Sequence, residues 1–195
     1  MGQGGMSVIR QGGSPYDSYP IMKTPVDSSY VENFRGIISV SLGTNDYGNG
    51  HSPLGSVEDV KNVPFNSLTP TSFEYIEGYT FAQGFRYNLE KLKQKAPYAT
   101  IVVLLPIHRV GEQSEYITGA NLQAYRDVEI GICNLLGIPY IDMSLCGISK
   151  WNTNPIWSAD NLHPNDYGYY LMTAFLIPYF KELIYQQRYL NSKLV

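Results

Sequence analysis

Three short apolar runs, each rich in β-branched residues, restrict the fold of this chain more than any other feature. The runs are residues 37–42, 100–105 and 138–141. Their length and composition are typical of buried β-strands. A turn or helix-stop signal precedes each run, and Gly137 is expected just past a helix end. The sequence therefore predicts three strands, each entered from a turn.

Apolar residues at helical spacing lie between and after these runs. Helix-compatible stripes cover 73–92 and 122–136, and a third stripe begins after His163-Pro164. Pro178 lies inside the third stripe and predicts a kink there. Strands that alternate with helices of crossover length form a parallel sheet covered on both faces, so we expect an α/β fold.

Length and charge narrow the class of protein. A chain of 195 residues buries about 70% of the surface that its unfolded form exposes, and we expect one domain over residues 1–195. Fourteen Lys plus Arg stand against 17 Asp plus Glu, which gives a net charge of −3. Because there is no basic excess to neutralise phosphates, we expect no nucleic-acid partner.

Targeting signals and cysteine motifs are absent from the sequence. The N-terminus lacks the charged and apolar regions of a signal peptide, and no apolar run reaches about 18 residues. We therefore expect no membrane partner. Cys133 and Cys146 are too few for a disulfide framework and lack metal-ligand spacing, which favours buried thiols.

The loops after the predicted strands are where we expect a site, because ligands of parallel α/β sheets bind beyond the carboxyl ends of the strands. Gly43-Thr44-Asn45-Asp46 follows the first strand. A glycine there permits a tight turn, and the Asn45 amide can stabilise an oxyanion. The alternative is an ordinary Asx turn. Segments 11–29 and 47–71 are too long for plain connections and are expected to line a pocket.

A second polar motif, Asp160-Asn161-Leu162-His163-Pro164, stands directly before the last predicted helix. An Asp three residues before a His can accept the Nδ1 proton, which leaves Nε2 free as a general base. Pro164 restricts His163 to an extended backbone. The alternative is that both are polar loop residues beside a helix cap. The other two histidines, His51 and His108, fall in loops beyond strand ends, where exposed loop histidine is the alternative to a site role.

A third motif is the glycine-rich start of the chain, Gly2-Gln3-Gly4-Gly5-Met6-Ser7. Taken alone it is typical of a flexible terminus. It is not a dinucleotide-binding fingerprint, because no strand precedes it and the G-x-G-x-x-G spacing is absent.

Together and in this order, the three motifs resemble the SGNH (GDSL-like) hydrolase family of esterases and lipases, in its bacterial and phage-tail form. Gly43-Thr44-Asn45-Asp46 is similar to the family's Gly-x-Asn-Asp block, and Asp160 to Pro164 to its final block. Gly4-Gly5-Met6-Ser7 resembles its glycine block. The resemblance implies a flavodoxin-like three-layer α/β/α fold with a parallel sheet.

The resemblance also implies a chemistry. In the family a Ser attacks an ester carbonyl, a His in the position of His163 takes its proton, and an Asp in the position of Asp160 orients the imidazole. Asn45 and the Gly5 N–H would hold the oxyanion, with no metal or cofactor. The expected substrate is a small ester or an O-acylated carbohydrate, an expectation that the 17 tyrosines favour. Three residues are candidates for substrate binding: His51, His108 and Trp157.

The sequence departs from the family pattern at the nucleophile. No strand ending in Gly-Asp-Ser occurs, and neither Ser7 nor Ser14 follows an apolar strand that would place its hydroxyl at a turn. Cys146 is no better placed. One hypothesis is that the chain is N-terminally incomplete, part of a larger extracellular or virion-associated esterase. The other is a domain without the serine that binds a glycan or protein partner.

The missing block has a consequence for the sheet. In the family fold the first strand lies inside the sheet, so without it the apolar run 37–42 would present an unpaired edge. We therefore expect this edge to be paired by a partner chain, by strand exchange in a homo-oligomer, or by an N-terminal segment.

Overall fold

The computed structural model describes residues 8, 29–49, 53–69, 79–115, 119–149, 156, 160 and 162–193. Three parallel strands form one sheet in the order β1-β2-β3, and they are β1 (Ile37–Val40), β2 (Thr100–Leu104) and β3 (Tyr140–Ile141). The three predicted strands are confirmed, but each is shorter than its apolar run. Leu42 and Ile138 are buried without belonging to the ladder, because apolar runs report burial rather than strand pairing.

The helices of the described residues are α1 (Ser29–Glu32), α2 (Thr44–Asn49), α3 (Phe81–Lys95), α4 (Leu122–Leu136) and α5 (Asp166–Lys193), with one 3₁₀ turn at Met143–Leu145. The three long helices follow the predicted stripes, but α3 begins at Phe81 rather than near residue 73, and residues 70–78 lie outside the described part of the chain. Helix α3 begins after Thr80, which forms a reciprocal capping box with Gln83. Helix α4 ends at Gly137, whose φ of 62° places it in the left-handed region expected just past a helix end. Helix α5 continues through Pro178.

Alternate side chains of β2 face opposite sides of the sheet, as expected of a strand. Ile101 and Val103 belong to a core formed with helices α3 and α4. Val102 and Leu104 belong to a second core, whose outer wall is the apolar stripe of α5. The sheet therefore lies between two helical layers, and the expected α/β/α architecture is confirmed.

Strand β1 lies at one edge of this sheet. Within the described residues it pairs with β2 alone, and Ser39 is exposed. Pairing of the other side of β1 by a partner chain, by strand exchange or by an N-terminal segment therefore remains a prediction.

Part of one predicted pocket-lining segment is held against α3. The Arg86 guanidinium donates to the carbonyl of Val63 at 2.7 Å, and Glu90 accepts from the Asn66 N–H at 2.9 Å. Arg86 and Glu90 also pair with each other and are buried. The bonds of Arg86 and Glu90 therefore attach Val63 and Asn66 to the helix, while residues 11–28 lie outside the described part of the chain.

The cysteines are free thiols, and both are buried, as expected. Burial, together with the nearby Glu129, raises the pKa of the Cys133 thiol to about 12. Cys133 is therefore a packing residue. None of the helices in the described part of the chain combines the length and apolar content needed to cross a membrane.

Candidate active site

The Asp160–His163 pair has the geometry that its spacing predicts. His163 Nδ1 lies 2.6 Å from Asp160 Oδ2, so the ring donates its Nδ1 proton to the carboxylate. Asp160 Oδ1 accepts two further bonds, from the backbone N–H groups of Leu162 and His163, each at 3.0 Å. The hydrogen bond from the His163 ring, followed by the two backbone bonds, holds the pKa of Asp160 well below its usual range. Asp160 is therefore an anion that fixes the imidazole tautomer with the proton on Nδ1 and the lone pair on Nε2.

The loop that presents this pair is anchored at the start of α5. Asn165 Oδ1 accepts from the N–H groups of Tyr167 and Gly168, and so caps the helix. The Asn165 N–H in turn donates to the carbonyl of Ile156, a residue of the second core, at 2.8 Å. Since both His163 and Asp160 are exposed, their positions depend on this anchoring and on Asp160's own bonds rather than on packing.

An open depression lies beside His163. It is lined by His163, Pro164, Asn165, Asp166, Tyr167 and Tyr169. The two tyrosines are about half exposed, at 51% and 50%. They offer flat apolar faces and hydroxyl groups next to the imidazole.

The Gly43–Asp46 turn follows the carboxyl end of β1. Gly43 has a φ of 91°, a conformation that favours glycine, and its carbonyl accepts from the Tyr47 N–H at 2.8 Å. Thr44 then begins helix α2, which places Asn45, a half-buried side chain, in its first turn. The sequence-predicted tight turn is therefore present.

Asp46 attaches a distant part of the chain to this turn. Both of its carboxylate oxygens accept from the backbone N–H of Val8 at 2.9 Å, across 38 residues of sequence. Val8 and Asp46 are buried. No local spacing in the sequence predicts this role of Asp46, although the acidic residue after Asn45 is part of the motif.

The loop after β2 is bonded to the same turn. Arg109 donates to the carbonyl of Thr44 at 3.4 Å and lies over the ring of Tyr47, 5.4 Å from its centroid. The Tyr47 hydroxyl donates to the carbonyl of Gly111 at 2.6 Å. The loops that follow β1 and β2 therefore form one surface at the carboxyl edge of the sheet.

His108 lies in this second loop and has its own carboxylate. Its Nδ1 is 2.7 Å from Glu112 Oε2, and Arg126 Nη2 is 3.4 Å from the same oxygen. Arg126 is buried and also donates to the carbonyls of Pro106 and Ile107.

Burial would raise the pKa of Glu112, but the His108 hydrogen bond, the Arg109 N–H and the Arg126 charge outweigh it and leave that pKa lowered. Glu112 is therefore ionised and orients the His108 ring, as Asp160 orients His163. Sequence reasoning missed Glu112 and Arg126. Two signals in the sequence point to them. Glu112 stands four residues after His108, and Arg126 is a charged residue inside the apolar stripe of α4.

The structure places only some of the predicted site residues. Gly5, His51 and Trp157 lie outside the described residues, as do Ser7 and Ser14. Within the described part of the chain, the hydrogen bonds of the His163 ring run to Asp160 alone, and no serine hydroxyl reaches it. Nor does a direct hydrogen bond join His163 to Asn45 there. The described residues contain no group of three His, Cys, Asp or Glu side chains arranged to hold a metal ion.

Comparison with known proteins gives one family. The model of the GDSL-like lipase/acylhydrolase family matches residues 19–171. No curated protein matches the chain.

Solved structures share the fold. A protein from Lactobacillus plantarum is 20% identical with a TM-score of 0.61, and the match covers 91% of this chain and 77% of that one. A possible lipase from Chitinophaga pinensis is also 20% identical, with a TM-score of 0.52 over 75% of this chain and 72% of the other. A peptidoglycan O-acetylesterase is 14% identical with a TM-score of 0.52, and the match covers 77% of this chain and 38% of the esterase.

Proposed function

Because this chain belongs to the GDSL-like lipase/acylhydrolase family, we propose that it hydrolyses esters with His163 as the general base and Asp160 as the residue that orients it. The observation that carries the proposal is the 2.6 Å contact between His163 Nδ1 and Asp160 Oδ2, made by a carboxylate that is already anchored by two backbone N–H groups. An imidazole with its Nδ1 proton fixed in this way can take a proton only at Nε2.

The proposed reaction has two acyl-transfer steps. A serine hydroxyl attacks the ester carbonyl while its proton passes to His163 Nε2, and the C–O bond to the alcohol breaks as that proton is returned to the leaving oxygen. Water then attacks the acyl-enzyme by the same proton route and releases the acid. Asn45 and the Gly5 N–H are the proposed oxyanion donors. The bond between Val8, three residues beyond Gly5, and Asp46 in the Asn45 turn supports this pairing.

The proposed substrate is an O-acetylated carbohydrate. Tyr167 and Tyr169 line the depression beside His163, and tyrosine combines a flat face with a hydroxyl, which suits a sugar ring. The peptidoglycan O-acetylesterase among the structurally similar proteins supports the same class, at the level of fold.

The first test removes the base. His163→Ala is expected to lower the kcat for hydrolysis of an aryl acetate and of an O-acetylated sugar by roughly 10²–10⁴-fold, because general-base catalysis contributes about that much. The matched control is Asp127→Asn, an exposed side chain on helix α4, which is expected to retain wild-type turnover. Steady-state kinetics on the two substrates measure the effect.

Covalent labelling identifies the nucleophile in the same preparation. A fluorophosphonate probe should attach to one serine, which peptide mapping would locate, and His163→Ala should slow the labelling. A wild-type protein that neither turns over an aryl acetate nor takes up the probe would contradict the proposed activity.

His108 is the proposed substrate-binding residue of the second loop, together with His51 and Trp157. Glu112 accepts from Nδ1, so Nε2 of His108 can accept a hydrogen bond from a substrate hydroxyl. His108→Ala should raise the KM for an O-acetylated sugar by about 2–10-fold, the value of one hydrogen bond, with kcat unchanged. The KM for an aryl acetate, which has no sugar hydroxyl, should stay at the wild-type value. Equal changes for both substrates would show that His108 does not contact the sugar.

A second candidate function is binding of an O-acetylated glycan without turnover. One observation favours it: no serine hydroxyl bonds to His163 within the described residues. Calorimetry with an O-acetylated oligosaccharide distinguishes the two, because binding that persists without release of acetate supports this candidate.

A further inference from the structure

Glu129 is a buried acid that takes no part in the proposed reaction. Its side chain is completely buried in the middle of helix α4. Neither carboxyl oxygen has a hydrogen-bond partner among the described residues. A buried polar group without a partner is costly, so its presence in a packed interior calls for a physical explanation.

The position of Glu129 connects it to the candidate active site. A Cβ atom on Gly43 would overlap Glu129 Oε1, so the carboxyl occupies the space beneath the Gly43 backbone. Asp46, at the other end of the same turn, is close enough to act on Glu129 electrostatically. The turn that presents Asn45 therefore rests on the Glu129 carboxyl.

The charge state of Glu129 follows from its surroundings. An ionised carboxylate without hydrogen bonds in a buried, low-dielectric interior is far less stable than the neutral acid. The charged and titratable groups that face it are Asp46 from α2, and Arg126 and Cys133 from its own helix. Arg126 also forms an ion pair with Glu112. Burial first and the Asp46 charge second raise the pKa of Glu129 well above its usual value, and Arg126 opposes them only in part.

We propose that Glu129 is a positioning residue, a proton-bearing carboxylic acid that supports the Gly43–Asp46 turn and so holds Asn45 in place. The neutral form packs against Gly43 without repelling Asp46. An ionised Glu129 would push against the Asp46 carboxylate, which holds Val8. The consequence for catalysis, through Asn45 as oxyanion donor, rests on the proposed function, whereas the protonation and the support of the turn do not.

The protonation is tested without any substrate. In protein labelled with ¹³C at glutamate side chains, the Glu129 carboxyl carbon, assigned with Glu129→Gln, should keep the chemical shift of a neutral acid at pH 7. Unfolding provides a second readout. Above pH 4.5, the usual pKa of the acid, the unfolded chain releases a proton that the folded chain keeps, so stability falls as pH rises.

The unfolding constant of the wild type divided by that of Glu129→Gln should therefore rise by up to tenfold per pH unit above pH 4.5, until Glu129 ionises in the folded state. A carboxyl that titrates near 4.5, or a ratio that is constant with pH, would overturn the proposal.

The positioning role is tested by kinetics with a conservative rescue. Glu129→Ala should lower kcat at least tenfold with KM within twofold of wild type, and Glu129→Gln, neutral and of the same size, should restore it. The double variant Asn45→Ala/Glu129→Ala should have a kcat within twofold of that of Asn45→Ala alone, because Glu129 acts through Asn45. Equal losses in both backgrounds would show that Glu129 does not act through Asn45 and would overturn the proposal.

The Asn45 side-chain amide signal in ¹⁵N spectra distinguishes failure of the proposed function from failure of the positioning role. If the wild type has no esterase activity, the proposed function fails, and the spectra then decide the inference. Glu129→Ala should shift the Asn45 signal while Glu129→Gln leaves it in place, and an unmoved signal in both would overturn the positioning role. If Glu129→Ala fails to fold, Glu129→Gln and the carboxyl titration decide the inference.

Discussion

Gly43 satisfies two separate constraints at one residue. Its φ of 91° lies where a side chain is unfavourable, and the space a Cβ would need is taken by the carboxyl of Glu129. The glycine in the Gly-Thr-Asn-Asp motif is therefore required both by the bend of the chain after β1 and by a side chain from helix α4.

These two constraints are separable by substitution. Gly43→Ala should lower the free energy of unfolding by about 1–2 kcal/mol for the backbone conformation and by about 1–3 kcal/mol more for the overlap with Glu129. The matched control is Gly119→Ala, since Gly119 has a φ of 67° with nothing near its missing Cβ and should show the backbone cost alone. Chemical denaturation followed by circular dichroism measures both. Equal losses in the two variants would show that the Glu129 contact costs nothing.

Residue spacing predicted the site contact between neighbouring residues and missed the contacts between residues far apart in sequence. Asp160 and His163 are three residues apart on one loop, so the chain itself brings them together. The bond between Asp46 and Val8 spans 38 residues, and no periodicity predicts it. Arg126 and Glu129 were missed because they lie inside an apolar stripe, where sequence patterns predict core residues.

At the scale of elements, β1 is the strand whose surroundings matter most. Parallel strands form slanted, evenly spaced bonds, so the N–H groups of an edge strand point alternately toward its neighbour and away from the sheet. In the described residues β1 bonds to β2 on one side. An apolar strand with one open edge is prone to association with other strands.

We predict that the outer edge of β1 is also paired. All four backbone N–H groups of Ile37–Val40 should then be protected from hydrogen exchange, including those that point away from β2. Exchange followed by NMR measures each amide separately. Rapid exchange at alternate residues, in a protein that sediments as a monomer, would contradict the prediction. Protection that disappears on dilution would indicate a partner chain or strand exchange, and protection that survives dilution would indicate a segment of the same chain.

The two ends of α4 and the start of α5 show why some element boundaries were predictable. Asn121 and Asn165 cap their helices through side-chain oxygens, and Gly137 ends α4 in a left-handed conformation. These signals are local, so the sequence alone locates them. Strand ends have no such local signal, because hydrogen bonding to the neighbouring strand decides where a ladder stops. Accordingly, Leu42 is buried outside the ladder, and Leu105, just past the end of β2, contributes only its N–H, which donates to the carbonyl of Ile141 at 3.0 Å.

At the scale of the whole molecule, the packed layers position the residues of three loops. The loops after β1 and β2 share the bonds of Arg109 and Tyr47, and the loop before α5 presents His163 and Asp160. The two helical layers form separate cores on either side of the sheet. The described residues contain two hydrogen-bonded histidine–carboxylate pairs, one in the loop after β2 and one in the loop before α5.

The sequence by itself determined the fold class, the three strands, the main helices and the Asp160–His163 pair. Each of these depends on periodicity or on neighbours a few residues apart, which a linear chain displays directly. Only the tertiary structure decided that Asp46 holds Val8, that Glu112 and Arg126 support His108, and that Glu129 lies under Gly43. Those contacts join segments far apart in sequence, and their energies come from burial and charge proximity, which exist only once the layers have packed.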